Sequence, residues 1–580
     1  MDLQLIDGIN RAYSARTDPI VFALTGRTGS GCTTAANILS KPFNEISLID
    51  NDLEDVESRK LGIAIEYARA KWIPFAPVTV SSVIFSFLLH EDPKGVIQFL
   101  LDQKISQEGR EEFEGHLTKL AQDARFDAYK RSIRETAEPS DKAKAWEFFI
   151  QEIHTRAQQT KKVLGSDYPS LFQKLGDNVR FSGAPLDSTV HPDRLFSLME
   201  RVSSLVDCSI SFQQLNLKQP ARVVIDAIRN PLELVHLRRY IAGLYVIAIT
   251  TDDEVRRMRL MESGLNKKDV DRLDEKEYPT TKHLQDYASF VSQNLKDCIQ
   301  KSDIFVANPG LPAKLASSVR EMNTQLVRYV ALSLRPGLIT PTRDERCMQI
   351  AFVAKLNSGC ISRQVGAVVA DQAYSIHAIG WNDTPKGQTP CLLRNVSDLL
   401  SGQDDISFSE YEKTDTKLRG HLETKFGARD ALSQQEGLQC PYCFKDAYNA
   451  VMKDKNQVHT RSLHAEENAF LQAAKRGGAA ISGGILYTTA SPCELCSKKA
   501  YQLAIREIVY VDPYPGISTT HVLRSGAEDS QPQLRLFSGA VGSAYHRLYE
   551  ALLSIKDEYA ARLGNTTNVT QLSRGVQADS

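Results

Sequence analysis

His464, Glu466, Cys493 and Cys496 carry the most specific chemistry in this chain, in two short stretches: His464-Ala465-Glu466 and Pro492-Cys493-Glu494-Leu495-Cys496. One imidazole and two thiols are the three protein ligands a catalytic zinc uses, with the fourth position left to water. A closed structural site would want a further Cys or His nearby and has no use for Glu466. A carboxylate two residues from a metal ligand can instead move protons to and from an activated water. The set therefore reads as a hydrolytic zinc centre.

The flanking residues indicate the elements that must position it. Ala469, Phe470, Ala473 and Ala474 follow at helical spacing, which predicts His464 and Glu466 in the first turn of a helix. Gly483-Gly484 breaks the chain, and Ile485 to Thr489 reads as a strand. Pro492 is suited to open a second helix running to about Ala504, with both cysteines in its first turn. The helix dipole and a metal both favour thiolate there. Glu507 to Val511 reads as the next strand, so the order predicts a sheet covered by helices.

Ahead of this region, Val365 to Ala370 and Ser375 to Gly380 read as paired strands ending at Trp381-Asn382-Asp383-Thr384-Pro385. His-x-Glu with Pro-Cys-x-x-Cys is the signature of zinc-dependent nucleobase deaminases. Together with the hairpin, residues 343 to 530 resemble the deoxycytidylate deaminase family. That family carries Gly-aromatic-Asn-Gly-x-Pro after the hairpin, and Asp383 replaces its second glycine here. The resemblance implies a cytidine-deaminase-like αβα domain, hydroxide attack on C4 of cytosine, and Glu466 as the proton carrier. It also implies that Asn382 contacts the sugar, although turn formation is the simpler role on the residue type alone. Ala465 and Tyr514 are further candidate substrate contacts. Transfer RNA adenosine deaminases share the metal ligands but resemble the hairpin less.

Some members of that family hold a second, structural zinc with cysteines at the places of Cys360 and Cys391 and histidines from a later insertion. The insertion here offers Cys440-Pro441-Tyr442-Cys443 instead, enough for a four-thiolate site. His459 is an alternative ligand. The competing reading makes Cys360 and Cys391 small buried apolar residues and the C-x-x-C a free or redox pair.

The first half opens with a buried-type strand, Ile20 to Thr25, running into Gly26-Arg27-Thr28-Gly29-Ser30-Gly31-Cys32-Thr33. This is the phosphate-cradling loop pattern with Cys32 in place of its lysine. Thr33 and the strand-ending Asp226 would hold Mg2+, and the loop amides a nucleotide. Phosphoryl transfer loses its main charge-stabiliser without the lysine, and Arg27 is a candidate replacement. Asp226 to Pro231 resembles a stretch of small nucleotide and cofactor kinases, and Glu254 to Arg259 their lid arginines. The expected fold is α/β: a P-loop kinase-like, doubly wound parallel sheet over residues 17–333, followed by the deaminase domain over 343–562. A mainly helical insertion is expected at about 60–215, and the polar stretch 565–580 is expected to be disordered.

Seventy basic residues against 71 acidic ones argue against broad electrostatic binding of nucleic acid. Ten cysteines in 580 residues, several clustered, suit metal in a reducing compartment better than disulfides. No signal peptide or membrane span is read, so a cytoplasmic, non-membrane protein is expected. The whole chain, a lysine-less kinase-like domain joined to a deoxycytidylate-type deaminase, resembles the bacterial antiviral deoxycytidylate deaminases. That resemblance implies deamination of free dCTP and dCMP to uracil nucleotides, depletion of dCTP during phage infection, and repression beforehand, in one subgroup by a small inhibitory RNA. A nucleotide effector at the kinase-like domain and a homo-oligomer are the other partners expected. Housekeeping supply of dUMP and editing of polynucleotides are the alternatives.

Overall fold

The computed structural model describes residues 3–50, 54–133, 136–277, 287–310, 315–454, 456–477, 481–512 and 518–563. The chain divides into two compact units, one comprising Met1–Thr340 with Ser543–Ser580 and the other Pro341–Gly542. The division falls in the proline-containing connector, between Thr340 and Pro341. The segment from Ser543 differs from expectation, because it joins the first unit rather than completing the deaminase domain to 562. Its helix Ile555–Leu563 carries Glu558, which is 2% exposed and accepts from Tyr13 at 2.9 Å. Arg335 at 3.0 Å and Arg562 at 2.7 Å pair with the same carboxylate. A buried charge needs such partners, and they lie on segments remote in sequence.

In the first unit β1 (Ile20–Thr25) is buried at every position. It lies between β3 (Arg222–Ile228) and β4 (Leu244–Thr250), parallel to both. β2 (Ala76–Thr79) extends the sheet beyond β3 and β5 (Ile304–Ala307) extends it beyond β4, again parallel. Unbroken apolar strands are what a sheet covered on both faces requires. β2 lies within the stretch expected to be helical insertion; it is four residues long and contains Pro77, tolerated because an edge strand leaves one side of its backbone unpaired. The insertion proper follows it as helices from Val80–Leu88 to Ser197–Leu215, packed around Phe85, Phe113, Trp146, Phe149 and Leu205.

In the second unit the strand order is β10 (Gln533–Leu536), β9 (Glu507–Asp512), β8 (Ile485–Ala490), β6 (Gly366–Ala370), β7 (Ile376–Trp381). β6 pairs antiparallel with β7 and β8, whereas β8, β9 and β10 run parallel. The register Ala367↔Gly380 places Gly366 and Gly380 on opposite faces. Each admits a helix at close range. A Cβ on Gly366 would lie 1.9 Å from the Ala351 carbonyl oxygen, and one on Gly380 would lie 2.2 Å from that of Ala465. Helix Arg343–Ala354 covers one face and helix Ala465–Lys475 the other, giving the expected αβα arrangement.

Candidate functional site

His464 is the N-cap of helix Ala465–Lys475, and Cys493 is the N-cap of helix Glu494–Gln502. Neither side chain caps its own helix, which leaves both free to face each other. The His464 Nδ1 lies 3.2 Å from Cys493 Sγ and 3.5 Å from Cys496 Sγ. Among the described residues this is the one group of three or more His, Cys, Asp or Glu whose ligand atoms fall within 4.8 Å of one another. The second helix starts two residues later than its sequence suggests, so the cysteines take its cap and third helical positions. Hydrogen bonds from Cys496 and His464 outweigh burial and hold the Cys493 thiol down to about 3. The same contact with Cys493 and burial push Cys496 up, while the Cys493 bond raises His464. Two sulfurs and one imidazole nitrogen, one thiol already favouring its anion, are a donor set that fits Zn2+. Glu467 and Lys499 form an ion pair between the two ligand-bearing helices.

Glu466 lies in the first turn after His464 and is only 4% exposed; burial pushes its carboxyl up. Thr488 on β8, fully buried, stands 3.3 Å from Glu466 Oε1 and donates more closely to the Ala490 carbonyl at 2.7 Å. The sequence reading treated Thr488 as a strand residue only. A polar residue amid the buried run Ile-Leu-Tyr-Thr-Thr-Ala was the available signal.

Asn382 directs its carboxamide at its own framework. Its Oδ1 accepts from the Val365 amide at 2.6 Å, and its Nδ2 donates to the Arg363 carbonyl at 2.6 Å. It thus shapes the loop before β6, with one amide hydrogen and one lone pair left for a sugar hydroxyl. Ala465 is fully buried against β7, where Gly380 approaches its carbonyl. Arg363 and the buried Asp512 form an ion pair that ties this loop to the end of β9, a link absent from the sequence reading. Tyr514 lies outside the described residues.

The other cysteines are arranged differently. Cys391 and Cys440 are buried, and Cys360 and Cys443 partly so. Burial pushes both Cys391 and Cys443 up, Cys443 to about 12. No three of the four ligand sulfurs converge as those at His464 do. The His459 ring packs on Tyr448, with centroids 4.4 Å apart. Beneath this loop Arg394 and Glu412, both without exposed side-chain surface, pair at 2.7 Å, and Tyr442 donates to Glu412 at 2.5 Å.

In the first unit the loop Gly26–Thr33 leads into helix Cys32–Leu39 through Gly31, whose φ of 110° is natural only to glycine. Thr33 Oγ1 donates to Asp226 Oδ2 at 2.9 Å, so the two candidate Mg2+ partners do meet. Asn308 Nδ2 donates to the Ser30 carbonyl at 2.8 Å and braces the loop. Cys32 is pushed up to about 12 by burial, a neutral thiol that supplies no charge. Arg27, the candidate replacement for the lysine, pairs with Asp253 and Asp274, each at 2.7 Å. Glu277 accepts from the Thr28 amide at 3.0 Å and from Arg229 at 2.8 Å. A local reading could not see these acids, which come from helices Asp253–Glu262 and Lys267–Glu277.

A mixed sheet with a His-x-Glu helix and a Cys-x-x-Cys helix defines the class of the second unit: residues 341–512 match the family model for the cytidine and deoxycytidylate deaminase zinc-binding region. Among characterised relatives, the deoxycytidylate deaminase of Schizosaccharomyces pombe is 30% identical over 196 residues, 33% of this chain and 44% of that protein. The deoxycytidylate deaminase of Enterobacteria phage T2 is 28% identical over 174 residues, covering 29% and 78% of the respective chains. The dCMP deaminase of cyanophage S-TIM5, solved with dCMP and dUMP, is 23% identical over 34% of this chain and 99% of its own, with a TM-score of 0.21. The chain therefore spans less than half the length of the fission-yeast relative. No helix among the described residues is long and apolar enough to cross a membrane.

Proposed function

We propose that this chain is a zinc-dependent deaminase of free deoxycytidine nucleotides, converting dCMP and dCTP to the deoxyuridine nucleotides and ammonia. The observation that carries the reading is the convergence of His464, Cys493 and Cys496 beside the buried carboxylate of Glu466. Zinc held by those three side chains would supply a water acidified towards neutral pH. Glu466 takes that water's proton and passes it to N3 of cytosine, then carries a proton to N4. A C4–O bond forms, the C4–N4 bond breaks, and ammonia leaves. Asn382 orients the deoxyribose with its remaining hydrogen-bonding capacity, and Ala465 and Tyr514 are further candidate substrate contacts.

The biological reading is depletion of dCTP as an antiphage defence, with the first unit a P-loop kinase-like gate rather than a second enzyme. Its support is the joining of a deaminase region to a loop whose Thr33 and Asp226 meet but whose lysine position is the neutral Cys32. A nucleotide effector with Mg2+ at that loop, a small inhibitory RNA and self-association belong to the same proposal. Ammonia release from dCMP, dCTP, CMP and CTP, with and without dTTP or ATP, tests it beside single-stranded DNA and RNA arms. Turnover of dCMP and dCTP but not of polymer is expected. Deamination confined to polymer would refute it, and turnover of dCMP alone would favour dUMP supply.

A structural zinc on Cys360, Cys391, Cys440 and Cys443 belongs to this proposal as well. Two zinc ions per chain are expected by elemental analysis, falling to one in Cys440→Ser. One zinc per chain, unchanged by that substitution, would remove the second site.

A further inference from the structure

We infer that the cavity beside the phosphate loop is a nucleoside polyphosphate site whose cations come from outside the loop, from Lys161 and Arg259, and whose base platform is built by the helical insertion. This deepens the effector reading above and does not depend on deamination.

The cavity measures about 800 Å³, within the range of small-molecule sites. Its lining includes the loop with Thr33 and Asp226, and residues from helices Thr155–Leu164 and Tyr168–Ser182, which contribute Gln158, Lys161, Tyr168, Phe172 and Gln173.

A polyphosphate needs positive charge, and most of the nearby arginines are already neutralised. Arg27, Arg256 and Arg257 are paired with Asp253, Asp271 and Asp274. Arg229 is paired with Glu277, and Arg180 with Glu233 and Asp177. Lys161 and Arg259 face the same cavity with no carboxylate at ion-pair distance among the described residues. Burial raises the Asp226 carboxyl, and Thr33, Arg229 and Lys161 all act against that rise, so the Lys161 charge reaches the Asp226 end of the cavity. Arg259 holds the Asn308 and Gly310 carbonyls at 3.3 and 2.9 Å, and its Nε is buried with no hydrogen-bond partner.

The insertion supplies the base platform. Tyr168 and Phe172 are stacked, with centroids 4.2 Å apart and planes 26° from parallel, and line the cavity. Aromatic rings sharing a cavity with a glycine-rich loop suit a base and its phosphates, so the ligand class is a magnesium nucleoside di- or triphosphate.

Equilibrium binding of radiolabelled ATP with Mg2+ to the zinc-loaded full chain tests this, with ADP, dCTP and inorganic triphosphate as competitors. Saturable binding of one ATP per chain is expected. Lys161→Ala and Arg259→Ala should each weaken it roughly 10- to 100-fold, the loss of one charge-assisted hydrogen bond. Lys161→Arg should retain binding, and Cys32→Lys should restore it in the Lys161→Ala background. Unchanged affinity in both alanine variants, or no saturable binding by the parent chain, would overturn the site. Inorganic triphosphate competing as well as ATP would overturn the base platform. Circular-dichroism melting of each variant separates lost binding from lost fold. Ammonia release from dCMP in the same samples reports separately on the deaminase reading, since ATP occupancy requires no deamination.

Discussion

Glu466→Ala is expected to remove ammonia release from dCMP and dCTP, by about 10²- to 10⁴-fold or more, while zinc content and folding stay intact. The reaction must move protons between water, N3 and the departing N4, and the only carboxylate in the first turn beside the ligands that is itself buried is Glu466. It is 4% exposed, so bulk water is poorly placed to substitute for it. Its burial raises the carboxyl, which suits a group that must release a proton as readily as it takes one. Glu466→Gln keeps the shape and the hydrogen-bonding reach but cannot cycle a proton, and should lose as much activity. Elemental analysis and thermal melting provide the controls. Substantial turnover by Glu466→Ala with normal zinc content would refute the assignment.

The largest expected effect on stability lies at Glu412. Arg394 and Glu412 face each other with no exposed side-chain surface, and Tyr442 donates to the same carboxylate. Glu412→Ala strands the Arg394 guanidinium in the core and should destabilise the second unit by about 3–5 kcal/mol. The pair packs beside a small apolar core of Val396, Leu399, Phe408, Leu418 and Tyr442, which steadies the segment between Cys391 and Cys443. Burial alone would push Glu412 up, but hydrogen bonds and charge from Arg394 prevail and hold it below its ordinary value. The stabilisation is therefore present above the unfolded-state pKa of the carboxyl and is lost as pH falls through the lower folded value. Urea melts of parent and variant should differ strongly at neutral pH and converge in acid. A variant melting within ~1 kcal/mol of the parent at neutral pH would show the pair to be dispensable.

Residue chemistry and local spacing made the candidate zinc ligands legible. A metal demands particular donor types, and helix geometry brings Cys493 and Cys496 within reach of one ion. The same held for the hairpin, whose apolar alternation and closing turn are local, and for the glycine loop with its neutral Cys32. Thr488 and Asp512 were not legible as site residues, because their roles depend on which strand lies beside which helix. The ion pairs of Arg27 were not legible for the same reason: its partners Asp253 and Asp274 lie more than 200 positions away. The helix at Ile555–Leu563 looked like the end of the second domain, and only its buried Glu558, held by Tyr13 and Arg335, assigns it to the first.

What the amino-acid order determined by itself was the kind of chemistry on offer: three soft or borderline donors, one carboxylate two residues from one of them, and a glycine-rich loop with a cysteine where the phosphate-loop pattern has lysine. Those properties reside in side-chain type and in distances of a few residues. What only the tertiary structure decided was which charges remain available. Acidic side chains from remote helices neutralise four arginines around the loop, and Lys161 and Arg259 are left facing the cavity. Charge compensation acts through space over a few ångströms, so it follows the packing of segments rather than their order along the chain.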